Sequence, residues 1–127
     1  MKGGSSSVKL GSQFDAALCL QSSSPAQFLL ELVGNKWSFL ILQELLRGDR
    51  RTSQLVAALP GISTKTLTSR LKDLEKNGLL KRTVYPEIPP RVEYSLTDRG
   101  KELQPVISAL KEVGERWLEA TCSIKAG

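Results

Sequence analysis

The sequence contains no histidine. That absence removes imidazole general bases, Ser-His-Asp triads and histidine-containing metal sites together. Cysteine is nearly as scarce, with Cys19 and Cys122 the two present. Two thiols without histidine make a poor structural zinc site, and they cannot build a disulfide framework. No glycine-rich phosphate cradle of the Rossmann or P-loop kind occurs. No apolar run approaches the roughly 18 residues of a membrane span. The stretch Met1 to Ser7 has no apolar h-region, so a cytoplasmic location is expected rather than a secretory one. Together these absences predict no enzyme, no cofactor, no metal and no membrane partner.

What is present is ordinary in amount and uneven in placement. The chain has 127 residues, enough for one domain with a modest core. A hydrophobic share of 40% and a charged share of 24% fit a globular domain. The net charge of +5 suits an anionic partner, although solubility alone also explains such a value.

Residues 1–13 are rich in Gly, Ser and Lys, lack periodicity and read as a tail. Phe14 to Leu20 reads as a short helix or an arm, opening a single domain over 14–122, with 123–127 as a second tail. Ser24 is placed as an N-cap and Pro25 as the first residue of a helix over 25–34. That helix carries Phe28, Leu29, Leu32 and Val33 on one side. Trp37 to Leu46 is apolar nearly all round and belongs in the middle of the core. Thr52 caps a short helix whose Leu55, Val56 and Leu59 face inward. Pro60-Gly61 turns the chain, and Ser63 caps the next helix, with Ile62 and Leu67 spaced as a hydrophobic staple. Asn77-Gly78 closes it. Two helices joined by so short a turn have the spacing of a helix-turn-helix over 52–77.

The period then changes to two. Leu80 and Val84 alternate with Lys81 and Thr83, and Val92, Tyr94 and Leu96 alternate with Glu93 and Ser95. These predict a hairpin over 79–96, with the proline-rich 86–90 segment as its stiff tip, a wing. A last helix is expected from about Thr97 to Ala120, kinked at Pro105. Leu103, Leu110 and Trp117 recur at seven-residue steps, as do Val106 and Val113. Such a stripe leaves more apolar surface than a small domain usually exposes, which points to a homodimer.

On a helical wheel, Leu67, Leu71 and Leu74 centre on one side of the 63–77 helix. Lys65, Ser69, Lys72 and Lys76 centre on the other; Thr66 and Thr68 flank them and Arg70 lies at an edge. Short hydroxylic residues permit close approach to a major groove, and cations neutralise phosphate. A solvated helix face has the same appearance, but the wider charge distribution favours DNA. From Ser63 to Arg91 seven bases face three acids, so this stretch holds four of the five net positive charges. The candidate DNA-binding residues are Ser63, Lys65, Thr66, Thr68, Ser69, Arg70, Lys72 and Arg91. Arg91, at the wing base, suits either a narrow minor groove or simple solvation. Arg47, Arg50 and Arg51 either touch phosphates or favour a helix C-terminal end. Trp37 and Trp117 fit core or interface packing better than ligand stacking.

Leu32-Val33-Gly34-Asn35-Lys36-Trp37-Ser38 resembles the "IGGKWT" start of HxlR-type winged-helix regulators. Leu59-Pro60-Gly61-Ile62-Ser63, with Leu67 through Glu75, resembles their "LPGIS…LtqRLreLE" stretch. Gly78-Leu79-Leu80 and Tyr85 through Thr97 are similar to their wing. The resemblance covers roughly residues 25–118. It implies an α+β, mainly helical winged helix-turn-helix with a two-stranded wing and dimerisation helices at 25–34 and 98–120. The partners it implies are a double-stranded DNA operator and a second copy; no motif specifies a small-molecule effector. Candidate interface residues are Phe28, Leu103, Val106, Leu110, Val113 and Trp117. Some members sense oxidants through a cysteine in a "CP" pair just before the first helix. Here Ser24-Pro25 occupies that place and Cys19 lies five residues earlier, so Cys19 is a possible redox residue and a constitutive DNA binder is the expectation. A rival of another class is a winged helix used for protein–protein assembly. Its outer helix positions would be apolar rather than Lys65, Ser69 and Lys72.

Overall fold

A computed structural model describes residues 24–126, with side chains described as far as Thr121. The expected 1–13 tail, the 14–20 segment and Cys19 lie outside the described residues, as does the Cys122 side chain. The first helix, α1, spans Pro25–Val33. Ser24 caps it, its Oγ accepting from the Gln27 N–H at 3.1 Å. The chain then turns through Gly34 into α2, Lys36–Leu46. Asn35 does more than break the first helix: its Oδ1 accepts from the N–H groups of Trp37 and Ser38, capping the second.

A two-residue strand β1, Arg50–Arg51, leads into α3, Thr52–Ala58. Thr52 is expected to cap this helix, but Arg51 holds the cap position. The Gln54 side chain reaches back to accept from the Arg51 N–H at 2.8 Å, while Thr52 is already helical. Leu55 and Leu59 are buried as expected, whereas Val56 is exposed. Val56 comes directly after Leu55, and a 100° step rotates it off the inward face.

Helix α4, Thr64–Lys76, is capped by Ser63 and carries Leu67, Leu71 and Leu74 into the core. Its end is a complete left-handed cap. Gly78 has φ +78°, its N–H donates to the Glu75 carbonyl, and the Leu79 N–H donates to the Leu74 carbonyl. Leu74 and Leu79 are both buried, the hydrophobic contact that accompanies this motif.

The hairpin is built from β2, Leu80–Tyr85, and β3, Arg91–Leu96, paired antiparallel from Leu80↔Leu96 to Tyr85↔Arg91. A third strand is not marked by any sequence pattern: β1 pairs with β3 through Arg50↔Tyr94 and Arg51↔Glu93, giving the order β1-β3-β2. Two arginines carry no alternation, so nothing local identifies them as a strand.

The last helix is divided. A short α5, Asp98–Lys101, precedes α6, Gln104–Ala126. Proline lacks an N–H and its ring clashes with the carbonyl four residues back. At the second position of a new helix both penalties vanish, so Pro105 starts α6 instead of kinking a longer one. The helix continues past the expected Ala120 to Ala126, so 123–126 is helical rather than a tail.

One core joins these elements. Ile41 from α2, Leu55 from α3 and Leu67 from α4 are wholly buried, and Leu80, Leu96, Leu103 and Ile107 close it from the sheet and the C-terminal helices. Thr97 ties the end of the helix-turn-helix to α5. Its Oγ1 donates to the Gly78 carbonyl at 2.6 Å and accepts from the Gly100 N–H at 3.1 Å. Gly100 is buried, and a Cβ there would run into the Leu79 carbonyl.

Candidate nucleic-acid interface

The outward side of α4 is set by its inward side. With three leucines fixed in the core, Lys65, Thr68, Ser69, Lys72 and Lys76 are exposed, and Thr66 and Arg70 are half-buried at the edges. Ser63 serves twice at the start of the helix. Its Oγ accepts from the Thr66 N–H at 3.0 Å and donates to Thr66 Oγ1 at 2.9 Å. The cap therefore also orients the first hydroxyls of the outer face. Arg70 lies along the helix, bonded to Asp73 at 2.8 Å, with Ser69 Oγ at 3.4 Å. Among the described residues Lys65, Lys72 and Lys76 on α4 and Lys81 and Arg82 on β2 form no ion pair. Five cations without carboxylate partners thus occupy consecutive elements.

Arg91 is in a different state. Its guanidinium stands 4.0 Å above the Tyr85 ring and pairs with Glu87 at 3.1 Å and Glu93 at 3.6 Å. Its Nε is buried without a hydrogen-bond partner. As placed, Arg91 braces the wing, and two carboxylates share its charge. Tyr85 was not among the expected site residues; the antiparallel register that puts it opposite Arg91 was the available signal. Arg47 and Arg50 converge on Glu44 at 3.7 and 3.1 Å, so both are engaged within the protein. Arg51 and Ser53 instead line a polar cleft of about 470 Å³ with the wing loop from Glu87 to Val92, a feature that no sequence motif marks.

A separate, apolar surface lies where α1, α2 and α6 meet. A groove of about 790 Å³ is lined by Leu29, Leu30, Phe39, Leu40, Val106 and Leu110. Beyond it Trp117 is 71% exposed and Leu118 67%. Trp37, in contrast, is partly buried against the core. Phe28 and Val113 are half-buried. Leu103 requires a correction: it is 5% exposed within the protomer's own core, because it lies one turn from Ile107 on the inward side, so it is not open to a partner.

A basic, hydroxylic helix in second place of a helix-turn-helix, with a braced hairpin after it, defines a winged helix-turn-helix protein of the DNA-binding regulator class. The model of the HxlR-like helix-turn-helix family matches residues 32–122, and the chain belongs to that family. It is 53% identical over 120 residues to the HTH-type transcriptional regulator sll1512 of Synechocystis sp., covering 91% of this chain and 89% of that protein. It is 42% identical over 90 residues to the HTH-type transcriptional regulator YvaP of Bacillus subtilis, covering 71% and 83%. Among solved structures, the redox regulator HypR in its reduced form aligns with a TM-score of 0.73 at 36% identity, covering 79% of this chain and 99% of that one. Reduced YodB from B. subtilis aligns with a TM-score of 0.66 at 34% identity, covering 78% and 98%. The chain is a winged helix-turn-helix transcriptional regulator of the HxlR type. Among the described residues no helix is long and apolar enough to cross a membrane.

Proposed function

We propose that this regulator works as a homodimer that occupies operator DNA, with α4 in the major groove and the β2–β3 wing against the flanking backbone. The observation that carries this reading is the run of unpaired cations on α4 and β2 beside the Ser63–Thr66 hydroxyls. Lys65, Lys72 and Lys81 would neutralise phosphates, while Thr66, Thr68, Ser69 and Arg70 stand where base edges would lie. Arg91 would act mainly by holding the wing in shape. The second copy would cover the apolar surface of α1 and α6 through Phe28, Val106, Leu110, Val113 and Trp117. An assembly module would present an apolar outer face on α4, and these positions are lysine and serine instead.

The test is titration of duplex fragments from the gene's own promoter region at increasing salt. Binding at low salt should weaken steeply, log K falling by about 0.9 per decade of salt for each phosphate neutralised. No binding to these duplexes at low salt overturns the reading.

A second reading concerns thiols, and its support is the likeness to HypR and YodB, solved in oxidised and diamide-treated forms as well as reduced ones. Ser24 is accounted for as a helix cap and is redox-inert. A switch would therefore fall to Cys19, and we favour a regulator whose operator binding does not depend on it. Operator affinity should stay within about twofold when wild type or Cys19→Ser is treated with diamide, well under the 1.4 kcal/mol of a tenfold change. A large reversible change in wild type, lost in the mutant, would establish the switch.

A further inference from the structure

Helix α6 has an unexplained residue at its middle. Gly114 is a poor helix former, and nothing in the protomer calls for it. A Cβ added there meets nothing within 4 Å among the described residues. Gly100, by comparison, is required by the Leu79 carbonyl pressed against it. Gly114 also lies on an uncovered apolar stripe. Leu110 is one turn before it and Trp117 and Leu118 one turn after; they are 56%, 71% and 67% exposed. Leu103 and Ile107 begin the same side of the helix and are buried in the protomer, so the stripe continues the core's own line beyond the point where the protomer can cover it.

Resting on the homodimer reading above, we propose that Gly114 is the point where two copies of α6 cross, antiparallel about a two-fold axis. A missing Cβ at the crossing lets two helix backbones approach closely. Two-fold symmetry brings the same residue of both copies to the axis, so one glycine opens the space from both sides. Leu110 of one copy then meets Leu118 of the other, and each Trp117 lies toward the partner's Leu110 at the mouth of the apolar groove. The charges choose the second copy and its direction. Lys111 and Glu115 flank the stripe on one side and have no ion pair among the described residues. In an antiparallel pair like flanks face each other, which sets Lys111 of each copy beside Glu115 of the other. A parallel pair would set Lys111 against the flank that carries Arg116.

Sedimentation equilibrium on the full chain tests this with wild type, Gly114→Ala, Lys111→Glu, Glu115→Lys and the double reversal. Alanine improves the isolated helix, so a purely local role for Gly114 predicts an equal or tighter dimer. A crossing at Gly114 predicts at least a tenfold weaker dimer, with unchanged helical circular dichroism. Each single charge reversal should weaken the dimer severalfold, and the double reversal should restore it. A monomeric wild type would remove the homodimer reading itself. A dimeric wild type with an equally dimeric or tighter Gly114→Ala overturns the crossing point alone. Loss of that dimer on Leu18→Asp would then assign the stripe to the N-terminal segment.

Discussion

Lys65 and Lys72 differ from Arg70 in what they are free to do. The two lysines stand unpaired on the outer face of α4, whereas Arg70 is bonded to Asp73 and lies near the Ser69 hydroxyl. A lysine is a compact point charge suited to phosphate, while the planar fork of an arginine can read a guanine edge. The double change Lys65→Ala and Lys72→Ala should therefore weaken binding to all duplexes alike. It should also lower the slope of log K against log salt by about 2, as measured by anisotropy titration. Arg70→Ala should instead change sequence preference, by about 1–3 kcal/mol between matched and mismatched duplexes. A uniform loss across sequences would show Arg70 to be another phosphate contact.

At the scale of elements, the recognition helix is set at both ends. Ser63 closes its start and the Gly78 cap its end, and Thr97 ties that end to α5. Ser63→Ala leaves the Thr66 N–H without its acceptor and should cost about 1 kcal/mol in urea unfolding. Gly78→Ala places a Cβ in the left-handed region and should cost a further ~1–2 kcal/mol by the same measurement. The wing depends on one side chain in a similar way. Arg91→Ala removes two ion pairs and the Tyr85 stacking together. The exposed pairs are each worth under about 1 kcal/mol, so global stability should barely change. Amide exchange across Tyr85–Arg91 should nonetheless quicken, and unchanged protection there would show that the 86–90 loop stiffens the wing without Arg91.

At the scale of the whole molecule, the DNA-reading elements and the apolar surface draw on different residues. The core of α2, α3, α4 and the sheet is closed without Val106, Leu110 or Trp117. Leu110→Asp should accordingly yield a monomer that melts near the wild-type temperature yet fails to hold operator DNA. Sedimentation and thermal circular dichroism check the first half of this, and anisotropy titration with operator duplex the second. A two-fold dimer also fixes operator geometry, with half-sites about 34 Å apart, one turn of the duplex. A footprint confined to a single half-site would contradict it.

Local pattern by itself determined most of the fold. The leucines of α4 dictated its outer face, because a helix advances 100° per residue and its inward side fixes the rest. The Pro60-Gly61 turn, the Ser63 cap and the alternation from Leu80 to Leu96 are likewise local, and each was legible. Other features came only from residues distant in sequence meeting. Strand β1 exists because β3 offers a free edge to Arg50 and Arg51. Arg91 became a brace because the register brought Tyr85 and Glu93 to it, although its sequence neighbours suggested a free cation. Leu103 shares the seven-residue spacing of Leu110 and Trp117, yet it is spent on the protomer's core while they remain exposed. Periodicity states which side of a helix is apolar; how far along that side a domain reaches is decided by packing alone.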